Sequence, residues 1–317
     1  MGLTGKRLPQ LDGGLFLTDG GIETTLIFHE GLELPYFAAF HLMKTLVGRD
    51  ALVRYFERYA AIARRDGMGF IFESPTWRAS SDWGNKLGYS RDGIAAVNRD
   101  SIALMRELQA KHRAPQLPMV VSGCVGPRGY GYDPGQVMSA SEAESYHAHQ
   151  IGAFAEAQAD MITAVTMTNA SEAIGITRAA MEAGMPVAIA FTTETDGRLP
   201  TGQSLADAIA EVDEATAAGP AYYMINCAHP MHFQNALPAD ENWTKRVRGL
   251  RCNASKRSHQ DLNDAPDLDA GDPVELGFQY RDLLQRHPQI NVLGGCCGTD
   301  HRHIECISRA CRPARAA

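Results

Sequence analysis

Two short stretches of this 317-residue chain place thiols at turns marked by glycine or proline. One is Gly294-Gly295-Cys296-Cys297-Gly298-Thr299, two adjacent cysteines between glycines; the other is Asn226-Cys227-Ala228-His229-Pro230. Adjacent side chains rarely reach one metal ion unless the backbone can take unusual dihedrals, a freedom that flanking glycines supply. Cys227, Cys296 and Cys297 together make a soft sulfur set. Such a set selects Zn2+ over harder cations, and three protein ligands leave the fourth tetrahedral position open to a substrate. The remaining cysteines, Cys124, Cys252, Cys306 and Cys311, read as buried small hydrophobes. Seven cysteines are an odd number in a chain too long to need disulfide staples, which favours reduced thiols in a cytoplasmic setting.

Three sulfurs meet only if the chain brings distant turns together. Short apolar or β-branched runs alternate with amphipathic stretches, eight of each. The runs are Leu15–Thr18, Phe70–Glu73, Met119–Ser122, Met161–Val165, Val187–Phe191, Tyr222–Asn226, Leu250–Asn253 and Ile290–Leu293. Helices are predicted at Ala51–Arg65, Arg91–Lys111, Ser141–Ala157, Ser171–Ala183, Ser204–Ala217, Phe233–Val247, Pro273–Arg286 and His301–Arg309. Eight strand–helix units without a second cluster of strands predict a single (β/α)8 TIM barrel over 1–317, with a flexible basic tail at 309–317. Barrel enzymes build their sites on the loops after the strands, and the chemistry-bearing residues fall there. Asp19 follows the first run, Glu73 ends the second, Cys124 follows the third, Cys227 the sixth, and Cys296 and Cys297 the eighth. Strands six and eight have one neighbour between them, so both turns can aim at one point. The segments 74–90, 124–139 and 254–272 are long enough to form a substrate mouth or lid.

Composition narrows the partners. With 44% hydrophobic and 21% charged residues the chain can bury a large core. A net charge of −7 argues against nucleic acid and anionic membranes and favours small molecules. No apolar run approaches the roughly 20 residues of a membrane span. Lys6 and Arg7 are not followed by the apolar core of a signal peptide. Gly126-Pro127-Arg128-Gly129-Tyr130-Gly131 lacks the Lys-Ser/Thr ending of a phosphate loop, and the eleven histidines show no metal-binding spacing. His229 is a candidate support for Cys227. Oligomeric state is not readable.

Taken together, these motifs resemble the homocysteine S-methyltransferase family over nearly the full length. The resemblance rests on Asp19-Gly20-Gly21, Gly123-Cys124-Val125-Gly126-Pro127, Asn226-Cys227 and Gly294-Gly295-Cys296-Cys297-Gly298-Thr299 with His303-Ile304 behind it. Weaker matches are Phe191-Thr192-Thr193, Thr201-Gly202, Ser204-Leu205 and Asn253-Ala254. It implies a zinc-containing barrel that moves a methyl group from a sulfonium or quaternary ammonium donor onto homocysteine, giving methionine. By the same resemblance Cys227, Cys296 and Cys297 match the zinc ligands, and Asp19, Gly20 and Gly21 bind the amino-acid acceptor.

Two departures stand out. The family's fourth strand ends in a Glu-Thr or Glu-Tyr pair whose glutamate holds the acceptor's amino group; this chain has Val165 and Thr166, leaving Thr166 as the substrate-binding candidate there. Glu194 or Glu73 would have to supply the missing carboxylate from another direction. Where the family shows a Thr-Asn-Thr-Phe-like second strand end, this chain has Phe72-Glu73-Ser74-Pro75-Thr76-Trp77. Glu73 and Trp77, with Tyr36 and Phe37, form a candidate pocket for a cationic methyl donor. Alternatively Glu73 pairs with Arg78 or another buried cation. The rival functions are a non-catalytic zinc- or thiol-sensing barrel, a methyltransferase for a different thiol, and a cysteine-nucleophile hydrolase.

Overall fold

The computed structural model describes residues 7–312 apart from 264 and 266. Its elements run β1 (Phe16–Leu17), α1 (Leu46–Asp66), β2 (Gly69–Glu73), α2 (Ser81–Lys86), α3 (Arg91–His112), β3 (Met119–Val125), α4 (Ala140–Glu156), β4 (Met161–Met167), α5 (Ala170–Glu182) and β5 (Val187–Phe191). They continue with α6 (Leu205–Thr216), β6 (Tyr222–Asn226), α7 (Pro230–Phe233), β7 (Val247–Cys252), α8 (His259–Asn263), α9 (Pro273–Arg286), β8 (Val292–Gly295) and α10 (His301–Cys311). The eight strands are parallel and close into a barrel in sequence order, as the alternating pattern predicted. Strand β1 spans two residues yet pairs with both β2 and β8, which is enough to seal the wall.

Strand periodicity divides the core into two layers. Phe16, Ile71, Val120, Met161, Ala188, Tyr222, Met224 and Val292 pack inside the barrel. Their sequence neighbours Leu17, Phe70, Phe72, Val121, Ile162, Ile189, Tyr223, Ile225 and Leu293 point outward and are covered by the helices. Side chains from neighbouring loops start the helices: Ser90, Ser139, Asn169, Ser204 and Asp272 each accept a hydrogen bond from the first turn that follows.

Several local expectations change. No helix spans Phe233–Val247: α7 ends at Phe233, and irregular turns lead through a 3-10 turn at Asn242–Arg246 into β7. Pro238 lies inside that stretch, where its ring and missing N–H break a helix. Cys124 lies within β3, which extends to Val125. The segments 74–90 and 254–272 carry α2 and α8. Helix α10 continues to Cys311, so 309–311 of the expected tail are helical; 313–317 lie outside the described residues. No helix among the described residues is long and apolar enough to cross a membrane.

Candidate active site

The same two-residue period that fills the barrel with apolar side chains turns polar at its C-terminal mouth. Glu73 continues the inward face of Ile71, Asn226 that of Tyr222 and Met224, and Arg251 alternates with the outward Leu250. Charged groups among apolar strands must find partners. Arg251 does: its guanidinium donates to Glu73 and, at 2.8 Å, to Asp19 Oδ1, and it also reaches Gly295 O at 3.2 Å. The Tyr55 hydroxyl of α1 donates to Asp19 Oδ2 at 2.8 Å. Burial pushes both carboxyls above the usual range, and Arg251 is the largest influence opposing that rise.

Above this layer the three sulfurs converge. The Sγ atoms of Cys227, Cys296 and Cys297 lie within 4.8 Å of one another, the one such His/Cys/Asp/Glu group among the described residues. Cys227 and Cys296 are paired sulfur to sulfur, with Cα atoms 5.4 Å apart. Cys297 is free, and burial pushes its thiol up to about 11. The Tyr132 hydroxyl sits 3.0 Å from its sulfur.

The backbone that aims these sulfurs is held from several sides. Cys227 takes a left-handed conformation at φ 53°, unusual for a residue with a side chain. Its carbonyl accepts from Asn253 Nδ2 at 3.0 Å and faces the His259 Nε2 ring nitrogen, while its N–H donates to Arg251 O at 3.0 Å. Thr166, also left-handed at φ 63°, follows a register shift in β4. Thr166 and Asn226 clasp each other, the Thr166 N–H donating to Oδ1 at 2.8 Å and Nδ2 donating to the Thr166 hydroxyl at 2.9 Å. Thr166 Oγ1 is 3.9 Å from the Cys227 sulfur.

At the other turn the glycines serve space more than dihedral freedom. A side chain on Gly294 would overlap Thr18, and one on Gly295 would overlap Thr299; only Gly298, at φ +79°, needs the left-handed region. The Asp19-Gly20-Gly21 loop is stitched to this turn: Gly21 N–H donates to Thr299 O at 3.1 Å, and Gly295 N–H to Asp19 O at 2.9 Å. Tyr280 of α9 ties β7 to β8, accepting from Cys252 N–H at 2.8 Å and donating to Gly294 O at 2.6 Å.

These groups border a cavity of about 340 Å3, a size suited to small molecules. Asp19, Gly20, Gly21, Glu73, Trp77 and Thr166, with the three cysteines, all line it, so the structure brings the expected site residues together. Their surroundings differ from expectation in three ways. Glu73 pairs with Arg251 rather than standing free for a cationic donor. Trp77 is faced by the guanidinium of Arg78, 3.9 Å from the ring centroid, so that face offers no open aromatic surface. Glu194 lies 3.1 Å from His259 Nδ1 instead of entering the cavity. The support foreseen for His229 falls to His259, which stacks on Tyr132 with centroids 4.0 Å apart; His229 caps α7. Of the four cysteines read as buried hydrophobes, Cys124 and Cys252 are buried, whereas Cys306 and Cys311 are half-buried.

Four cavity or near-cavity residues escaped the sequence reading: Arg251, Tyr132, His259 and Glu23. For Arg251 a signal was present, because an arginine inside Gly249-Leu250-Arg251-Cys252 cannot be buried without anions. Glu23 is half-buried on the cavity wall, with no ion-pair partner among the described residues; burial, helped by the negative charge of Asp19, pushes it up to about 7.

Comparison with known proteins adds a family. Residues 16–311 match the profile described as homocysteine S-methyltransferase. "Homocysteine S-methyltransferase 4" of Zea mays is 24% identical over 323 residues, covering 95% of this chain and 91% of the maize protein. The oxidized form of the homocysteine methyltransferase MmuM from Escherichia coli superposes with a TM-score of 0.75 at 19% identity, covering 95% of this chain and 99% of that one. Its metallated form gives 0.71 at 19% identity, with 94% and 96% covered. At these identities the two structures speak for the fold.

Proposed function

The chain belongs to the homocysteine S-methyltransferase family, and from that premise we propose that it methylates a thiol, homocysteine first, using a sulfonium or quaternary ammonium donor and zinc held by Cys227, Cys296 and Cys297. The observation that carries the reading is the convergence of three sulfurs from β6 and β8 on the wall of a closed-in cavity.

The donor set fits zinc. With Zn–S bonds of about 2.3 Å, sulfurs at two corners of a tetrahedron lie about 3.8 Å apart. Cys227 and Cys297 are 3.9 Å apart. Ligation by all three requires the Cys227–Cys296 bond to be reduced, so loading calls for a thiol reductant. Burial pushes the Cys297 thiol up to about 11, and a bound cation would favour its thiolate. When bound, zinc supplies Lewis acidity that keeps a thiol deprotonated near neutral pH.

The chain's own residues do the positioning. Asn226 and Thr166 fix the Cys227 turn, and Tyr132 and His259 cover it. Methyl transfer forms a bond from the acceptor sulfur to the methyl carbon and breaks the carbon–onium bond, whose electron pair neutralises the leaving group. No proton has to be delivered to that group, so alignment in the cavity is the main task.

The test is proton NMR of the reduced, zinc-loaded protein with a matrix of thiols and onium donors. A methylated thiol is the expected product. A metal-loaded protein that methylates nothing across the matrix would remove the enzyme reading in favour of a sensing barrel. Cys227→Ser should lose zinc and cut turnover beyond the roughly 10–100-fold seen when only outer partners of a metal are removed.

A further inference from the structure

Arg78 is buried, 1% exposed, and has no carboxylate within ion-pair reach among the described residues. The indoles of Trp77 and Trp83 cover it, with ring centroids 3.9 and 4.0 Å from its central carbon. Both rings lie within cation–π distance of the guanidinium. Its hydrogen-bond donors lie in the plane, and there Nη1 donates to Gly129 O at 2.8 Å while Nε has no partner. Burial without an anion pulls its pKa down to about 10. Cation–π contact repays part of the desolvation but leaves Nε without a partner, and an arginine with an unpartnered donor can take a carboxylate. Arg78 also lines the cavity that holds the three sulfurs.

Glu23 lines the same cavity and its charge is felt at Arg78, yet the two do not form an ion pair. A simple anion entering here would gain from Arg78 and lose to Glu23. A molecule carrying both charges gains from each.

We propose that Arg78 binds the carboxylate of a zwitterionic substrate, with the cationic group of that substrate toward Glu23, and so determines specificity. The proposal rests on the methyl-transfer reading for its candidate substrates. An amino-acid thiol acceptor and a carboxylate-bearing onium donor share the chemistry, so the test separates them.

Calorimetric titration of the reduced, zinc-loaded full-length protein compares pairs that differ in the carboxylate. Homocysteine is set against 3-mercaptopropylamine, and S-methylmethionine and glycine betaine against their methyl esters. Wild-type protein should prefer the carboxylate member of at least one pair by about tenfold or more, as expected for a charge-assisted hydrogen bond. The pair that responds identifies acceptor or donor. Arg78→Met should bring that ratio close to one while leaving the Kd of the uncharged-end partner unchanged, and should raise KM for the same substrate more than it lowers kcat. Arg78→Lys keeps a cation beside the indoles without the guanidinium and should give an intermediate ratio, which preserves the test if the methionine variant does not fold. Wild-type protein that treats the members of every pair alike, by binding both or neither, overturns the proposal, as does an Arg78 variant that keeps the wild-type ratio. Binding is read without turnover, so a failure of methyl transfer counts against the proposed function and not against Arg78.

Discussion

Arg251 and Arg78 are buried in the walls of one cavity and differ in what answers their charge. Arg251 stands at the end of a barrel strand and holds Asp19 and Glu73 together across the mouth. Arg78, in the segment between β2 and α2, is covered by two indoles and meets no carboxylate among the described residues. Strand-borne charge is fixed by the closed wall and is neutralised internally, as a charge that shapes the mouth must be. Loop-borne charge is packed against aromatic rings with its Nε unpartnered, and in our proposal a ligand completes it. Asp19 lines the cavity with its carboxylate engaged by Arg251 and Tyr55, and it shapes the site through those contacts.

Perturbing each arginine separates the two roles. Arg251→Met strands two buried carboxyls and should cost about 3–5 kcal/mol of stability, read by urea denaturation of the reduced protein. A cost under about 1 kcal/mol would show that the Asp19–Arg251–Glu73 cluster does not hold the mouth. Glu73→Gln leaves Arg251 paired with Asp19 and should cost less, about 1–3 kcal/mol by the same measurement. Arg78→Met strands no carboxylate; it forfeits the aromatic contacts and the hydrogen bond to Gly129 O, so its loss should stay below about 2 kcal/mol. If Arg78→Met proved as damaging to stability as Arg251→Met, the distinction between a structural and a ligand-facing cation would fail.

Much of this architecture could be read from residue order. The barrel followed from short apolar runs of strand length separated by amphipathic stretches, and the cysteine turns fell after β6 and β8 because the runs before them end at Asn226 and just short of Gly294. The helix expected over Phe233–Val247 shows where such reading slips: its apolar spacing was helical, but Pro238 decided the backbone. Partner choice was less legible. Glu73 needed a buried cation, and both Arg78 and another buried cation were open; Arg251 meets it because barrel closure brings β7 across from β2, over a sequence separation of 178. The left-handed backbone of Cys227 had no sequence marker, since that conformation is held by its contacts with Asn253 and His259 and by its own N–H donating to the Arg251 carbonyl.

The pair of indoles around Arg78 also makes the protein its own optical gauge. Of the chain's three tryptophans, Trp77 and Trp83 flank that guanidinium, whereas Trp243 lies in the turn that enters β7 at the opposite end of the barrel. Ultraviolet emission from the folded protein is therefore weighted toward the rings around one cation, and the arrival of an anion beside it registers as a change in the light they give off.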